Sequence, residues 1–181
     1  MKIKSYLITD PKLFGNTPDI LQTILSQAIE KHQPDFVCLR DKETVNYPAL
    51  AEAFMSLSGK HKTFLHGDVD LAASMGAFGV HLTSAQFSEI ERAKKMGLYV
   101  IASTHSYKEA LLAEQADAIT YSPVFFSPNK GEPKGLADLK EITGKIKTNI
   151  FALGGITTQE QIQQVQTCGV YGFASIRYFT T

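Results

Sequence analysis

The side chains best able to act on a small anion fall at regular places along this chain. Arg40 and Lys42 lie two residues apart, so in extended backbone they point the same way. Together they can hold a phosphate or a carboxylate, Arg through paired hydrogen bonds and Lys as a mobile point charge; the alternative is a solvated pair beside Asp41 and Glu43. Gly154-Gly155 separates the strand-like Asn149–Leu153 from a helix start at Thr157-Thr158-Gln-Glu160. A double glycine there lets backbone N–H groups approach a ligand, and the helix N-terminus adds partial positive charge, which together make a phosphate cup. An ordinary tight turn is the alternative. A second strand ends at Ile176 and leads into Arg177, and Lys130 sits in the loop Ser127-Pro-Asn-Lys-Gly131.

His66, His81 and His105 each stand at or near the end of a strand-like run. Three converging histidines can bind zinc, but no clustered carboxylates accompany them here. His81 reads as a hydrogen-bonded core histidine. His105, after Ser103-Thr104 and before the helix-capping Ser106, is the candidate for proton transfer, since imidazole takes and returns protons near neutrality. No nucleophile elbow is visible, so acyl transfer has no support.

The elements that must position these groups alternate. Strands are expected at Tyr6–Thr9, Phe36–Arg40, Thr63–His66, Gly79–Leu82, Leu98–Ala102, Ala118–Tyr121, Asn149–Leu153 and Gly172–Ile176. Helices are expected around residues 18–29, 48–58, 68–75, 89–96, 107–115, 136–146 and 160–167, from their apolar periodicity and capping residues. Eight strands alternating with helices predict parallel pairing through crossover helices, and eight repeats favour a closed (β/α)8 TIM barrel over an open sheet. In such barrels the strand C-termini form the active site, and the loops after strands seven and eight commonly bind phosphate. The ends read Asp10, Arg40/Lys42, His66/Asp68, His81, Ser103/His105, Ser122/Lys130, Gly154/Gly155 and Ile176/Arg177. That is a mainly cationic ring suited to a small anion. Because little sequence follows Ile176, the eighth helix is expected to be missing or very short, with a second copy of the chain covering the flank of strands eight and one.

The bulk numbers are compatible with one barrel domain over residues 1–181. Eighteen basic and 18 acidic residues leave no net charge, which argues against nucleic-acid or membrane-surface partners. No apolar run is long enough to span a bilayer. Cys38 and Cys168 are far apart in apolar settings and read as core residues of a reducing compartment. A cytoplasmic protein is expected.

The chain resembles the thiamine phosphate synthase / TenI family over nearly its whole length. The marks are Tyr6-Leu-Ile-Thr-Asp10, Leu39-Arg-Asp-Lys42, Asp68-Val-Asp-Leu-Ala72, Gly79-Val-His-Leu82, Ser103-Thr-His-Ser106, Ser122-Pro-Val-Phe125 with Lys130, Leu153-Gly-Gly-Ile156 and Gly172-Phe-Ala-Ser-Ile176. The resemblance implies a phosphate-binding barrel of thiamine biosynthesis. In the synthase branch, a hydroxymethylpyrimidine pyrophosphate is joined to a thiazole phosphate with release of pyrophosphate, and magnesium is required. The acids that hold magnesium there correspond to Gly67 and Gln86 here, which leaves Asp68 as the nearby carboxylate. In the thiazole-phosphate loop, the usual threonines are replaced by Ser127 and Asn129, and Arg177 replaces a final serine.

The TenI branch implies a different chemistry, a metal-free thiazole tautomerase that shifts a proton within a thiazole phosphate carboxylate. His105 would be its acid and base. Arg40 and Lys42 would hold the carboxylate, and Gly155, Ile176 and Arg177 the phosphate, with Ser103, Ser127, Asn129, Lys130 and Gly154 completing the site. The missing acids favour this branch. The expectation is therefore a tautomerase with no cofactor; the alternatives are the magnesium-dependent synthase and a non-catalytic binder of phosphorylated ligands.

Overall fold

A computed structural model describes residues 3–57, 61–128 and 130–180. Eight parallel strands close on themselves in sequence order, each paired with the next and β8 with β1. They are β1 (Lys4–Ile8), β2 (Phe36–Leu39), β3 (Lys62–His66), β4 (Gly79–Leu82), β5 (Tyr99–Thr104), β6 (Ala118–Tyr121), β7 (Asn149–Leu153) and β8 (Gly172–Ser175). The helices are α1 (Pro11–Phe14), α2 (Pro18–His32), α3 (Tyr47–Leu57), α4 (Val69–Ser74), α5 (Ile90–Lys95), α6 (Tyr107–Leu112), α7 (Gly135–Lys145) and α8 (Gln159–Gln166). Ser58, the expected end of the second helix, lies outside the described residues.

The period of two along each strand sorts side chains into two apolar bodies. Inside the barrel, Tyr6, Ile8, Phe36, Cys38, Phe64, Ile101, Phe151 and Ala174 form one cluster. Their alternates, such as Leu7, Val37, Leu65, Val80, Val100 and Ile119, pack outward against helix residues including Leu21, Leu25, Leu50 and Leu139. The interior is dominated by four rings, with Tyr6 5.6 Å from Phe64 and 5.3 Å from Phe151, and Phe36 5.5 Å from Phe64. Glycines in the neighbouring strands make this bulk possible. A Cβ on Gly79 would stand 2.6 Å from the Phe64 ring, and one on Gly172 2.5 Å from the Phe151 ring. Two family-like marks, Gly79-Val-His-Leu82 and Gly172-Phe-Ala-Ser-Ile176, are thus packing devices in part.

One sequence expectation changes. The first helix was expected around residue 18, but the Asp10 carboxylate accepts from Lys12 N at 3.1 Å and Pro11 occupies the first helical turn, so α1 forms immediately after β1. After β8 the chain makes a 3-10 helix, Arg177–Thr180. Its Phe179 is 2% exposed and stacks on Phe173 at 5.9 Å, while Tyr178 and Phe179 both pack on His32 at the end of α2. The element after β8 is thus very short, as expected, and this aromatic turn packs on Phe173 of β8 and on the end of α2. No helix among them is long and apolar enough to cross a membrane.

Candidate active site

The strand C-termini open on a pocket of about 670 Å³. It gathers, among others, Arg40, Lys42, His66, His81, Ser103 and His105 from the first five strands, and Ser127, Lys130, Gly154, Gly155, Ile176 and Arg177 from the last three. The site residues expected from sequence therefore meet in one place, except Asn129, which lies outside the described residues. Lys12 and Leu13 of α1 also line the rim. They lie in a segment where the sequence reading expects no helix, although an N-cap acid followed by proline, Asp10-Pro11, is itself a helix-start signal.

Arg40 leaves β2 with its backbone N–H bonded to Thr9 Oγ1 at 2.9 Å and its guanidinium 3.4 Å from Asp10. Lys42 follows through a turn made by Asp41, whose carboxylate accepts from Glu43 N at 2.8 Å, Thr44 N at 2.9 Å and Thr44 Oγ1 at 2.5 Å. Burial raises the Asp41 pKa, but these hydrogen bonds outweigh it and the net shift is downward. Asp41 is thus committed to shaping the loop. Lys42 loses its proton more easily than an ordinary lysine, first through burial and then through the charges of Arg40 and Lys130. Three cations from β2 and the β6–α7 loop therefore feel one another across the mouth, the field an anion would relieve.

His66 is half-buried and its pKa falls to about 3, first by burial and then by Arg40 and Lys42. It is neutral near pH 7. His81, 2% exposed, is held well below the ordinary histidine range by burial, then by His66, Arg40 and Lys42. Its Nδ1 lies 2.9 Å from Tyr6 Oη and its Nε2 2.9 Å from Ser103 Oγ. Ser103 and Thr104, expected in the loop after strand five, are the last residues of β5, and in-register pairing with β6 fixes them there.

His105 stands just beyond β5 with 44% of its side chain exposed. Its Nδ1 is 3.0 Å from Glu109 Oε2, which also accepts the His105 backbone N–H at 2.7 Å. Ser106 caps α6 by accepting from Glu109 N at 3.1 Å. The sequence reading did not single out Glu109, although its position four residues after His105 on a helix start places it within reach. The three histidines do not share one centre: His66 and His81 are adjacent, with ring centroids 5.4 Å apart, while His105 pairs with Glu109. Among the described residues no group of three His, Cys, Asp or Glu side chains is placed to hold a metal ion.

Gly154 and Gly155 have φ of +102° and +70°. The loop after β6 lies directly on them: Val124 N donates to Leu153 O at 2.9 Å and Phe125 N to Gly154 O at 3.0 Å. A Cβ on Gly154 would come 2.6 Å from Pro123 Cα, and one on Gly155 2.8 Å from Phe125. The glycine pair therefore seats the segment leading to Ser127 and Lys130, in addition to lining the pocket. The next helix, α8, starts with a full capping box between Thr158 and Gln161.

The positions matching the family's magnesium acids do not suit that ion. Gln86 is spent on local bonds, its Nε2 donating to Gly67 O at 2.8 Å and its Oε1 accepting from Thr83 N and Oγ1, both at 3.0 Å. Asp68 caps α4 by accepting from Leu71 N at 2.9 Å. Magnesium prefers carboxylates and water, and an amide and a glycine supply neither.

A closed (β/α)8 barrel with a cationic pocket at its C-terminal mouth is the class that fold and site define. Within that class the chain belongs to the thiamine monophosphate synthase family, whose description matches residues 5–179. It is 36% identical over 183 residues to a protein of Aquifex aeolicus named putative thiamine-phosphate synthase 2, covering 96% of each. It is 34% identical to the thiamine-phosphate synthase of Clostridium novyi, covering 96% of this chain and 88% of that one. Among solved structures, thiamine phosphate pyrophosphorylase from Pyrococcus furiosus superposes with a TM-score of 0.79 at 28% identity, over 96% of this chain and 85% of that one.

Proposed function

We propose that this barrel, a thiamine-biosynthesis family member, binds a thiazole phosphate carboxylate in its mouth and shifts a proton within it without a metal ion. The observation that carries this reading is the state of Gln86 and Gly67: where the synthase branch needs acids, this chain has an amide bonded to a glycine carbonyl. Arg40 and Lys42 hold the carboxylate end. The backbone of Gly155 and Ile176, with Arg177, holds the phosphate end. His105 removes and returns the proton, and Glu109 fixes its ring through Nδ1. The neutral imidazole of His66 beside Arg40 and Lys42 leaves their charge available to the ligand.

A second reading is the coupling reaction itself, and the names of the relatives favour it over tautomerisation. It would ask the cations Arg40, Lys42 and Lys130 to stabilise departing pyrophosphate with Asp68 as the nearest acid of the motif. The test is tautomerisation of the thiazole phosphate carboxylate in EDTA, with wild type and His105→Ala. Turnover that persists in EDTA and disappears in His105→Ala supports the first reading. Turnover equal in both proteins would remove His105 from it. Saturable binding with no turnover would leave a phosphate-ligand binder.

A further inference from the structure

The barrel interior holds a polar chain that the proposed proton shift does not use. Tyr6 on β1, His81 on β4 and Ser103 on β5 are linked by two hydrogen bonds of 2.9 Å each. Tyr6 is fully buried and its ring is tilted against Phe64 and Phe151. Ser103, at the other end, is half-buried and lines the pocket. One face of the chain is thus fixed in the core and the other meets the ligand space. Beside it, Thr120, in register with Ser103, is fully buried and its Oγ1 has no hydrogen-bond partner. The barrel interior next to Ser103 therefore carries more hydrogen-bonding capacity than the described protein groups satisfy.

We propose that His81 and Tyr6 are positioning residues that set the direction of the Ser103 hydroxyl toward an anionic oxygen of the ligand. This rests on the reading that the mouth binds a phosphorylated ligand. The logic is one of donors and acceptors. A neutral imidazole carries one N–H. If it sits on Nδ1, that nitrogen donates to Tyr6 Oη and Nε2 must accept from Ser103, which turns the serine proton inward. If it sits on Nε2, that nitrogen donates to Ser103 Oγ, Nδ1 accepts the Tyr6 proton, and the Ser103 proton is free to point into the pocket. An anion can only accept, so its binding selects the second arrangement. Burial keeps both Tyr6 protonated and His81 neutral, so the choice lies between tautomers and adds no charge to the core.

The experiment is a double-mutant cycle on the full chain, reading the dissociation constants of thiazole phosphate and of inorganic pyrophosphate by calorimetry. Ser103→Ala and His81→Leu are each expected to weaken binding roughly tenfold, the loss of one hydrogen bond to a charged group. The double variant should bind no worse than Ser103→Ala, because His81 acts only through that hydroxyl. His81→Gln, which retains a donor and an acceptor, should stay within about threefold of wild type, and Tyr6→Phe should fall between. Long-range 1H–15N spectra of the labelled His81 ring should show the Nε2–H tautomer once the anion is bound.

Additive losses in the cycle would overturn the proposal, and so would an Nδ1–H tautomer in the wild-type complex, which is read even if His81→Leu proves too unstable to assay. Binding of pyrophosphate without thiazole phosphate would sink the proposed function while the cycle is still read on pyrophosphate. Binding of neither anion to wild type would overturn both.

Discussion

Gly155→Ala isolates what the glycine turn does for the site. The residue has φ +70°, where an alanine pays about 1–2 kcal/mol for the left-handed backbone. Its Cβ would also stand 2.8 Å from both the carbonyl carbon and the Cβ of Phe125, and would press on the Phe126 carbonyl. Relieving such a clash in packed surroundings costs about 1–3 kcal/mol. The expected loss is about 2–5 kcal/mol, a large part of the ~5–15 kcal/mol typical of a domain. Gly131→Ala is the control: φ is +74° but nothing lies within 4 Å of the added carbon, so only the backbone cost of about 1–2 kcal/mol remains. Gly144→Ala is a second control, an exposed glycine in the last turn of α7 with open space around it, expected to stabilise by up to about 0.5–1 kcal/mol. Urea unfolding of the three variants reads these differences directly. Because the β6–α7 loop must move to admit the methyl group, Gly155→Ala should also weaken anion binding, and Gly144→Ala should not. A Gly155→Ala cost equal to that of Gly131→Ala would refute the claim that the loop is seated on this turn.

Acid should destabilise the protein through His66. Its folded pKa of about 3 lies below the ordinary 6.5, so the unfolded chain binds more protons between these values. The contribution is complete above about pH 6.5 and is lost as pH falls toward 3; His66→Asn should flatten that slope in urea titrations at a series of pH values. Arg40→Ala is expected to weaken anion binding by about 10–100-fold, as for a lost charge-assisted pair, measured by calorimetry. The share due to Lys42 should decline as pH rises through its depressed pKa, earlier than an ordinary lysine would allow, and Lys42→Ala should remove that pH dependence. Glu109→Gln keeps an acceptor for the His105 backbone but removes the charge beside Nδ1; steady-state kinetics should show turnover down about tenfold with KM little changed.

The barrel was legible because its strands are short, apolar and separated by regular helix signals. All eight observed strands begin and end within two residues of the expected places for that reason, and the strand-end rule then brought Arg40, His66, Lys130 and Arg177 to one mouth. What escaped depended on contacts across the fold. Tyr6 reads as one more apolar strand residue until the barrel closes and sets it 2.9 Å from His81. The second duty of Gly154-Gly155, carrying the loop after β6, needs the β6–β7 pairing to be seen. Lys12 escapes because no helix is expected between Thr9 and residue 18, where α1 forms. The aromatic cover of Phe173 by Tyr178 and Phe179 could not be read from the four-residue segment alone.

The most direct measurement of the central claim is pyrophosphate release from hydroxymethylpyrimidine pyrophosphate and thiazole phosphate, with and without magnesium, run beside tautomerisation in EDTA. Because Gln86 and Gly67 offer no carboxylate to the ion, the expected result is no magnesium-dependent coupling and sustained, EDTA-insensitive tautomerisation. Magnesium-dependent coupling at an enzyme-like rate, abolished by EDTA, would contradict the account and assign the site to the synthase reaction.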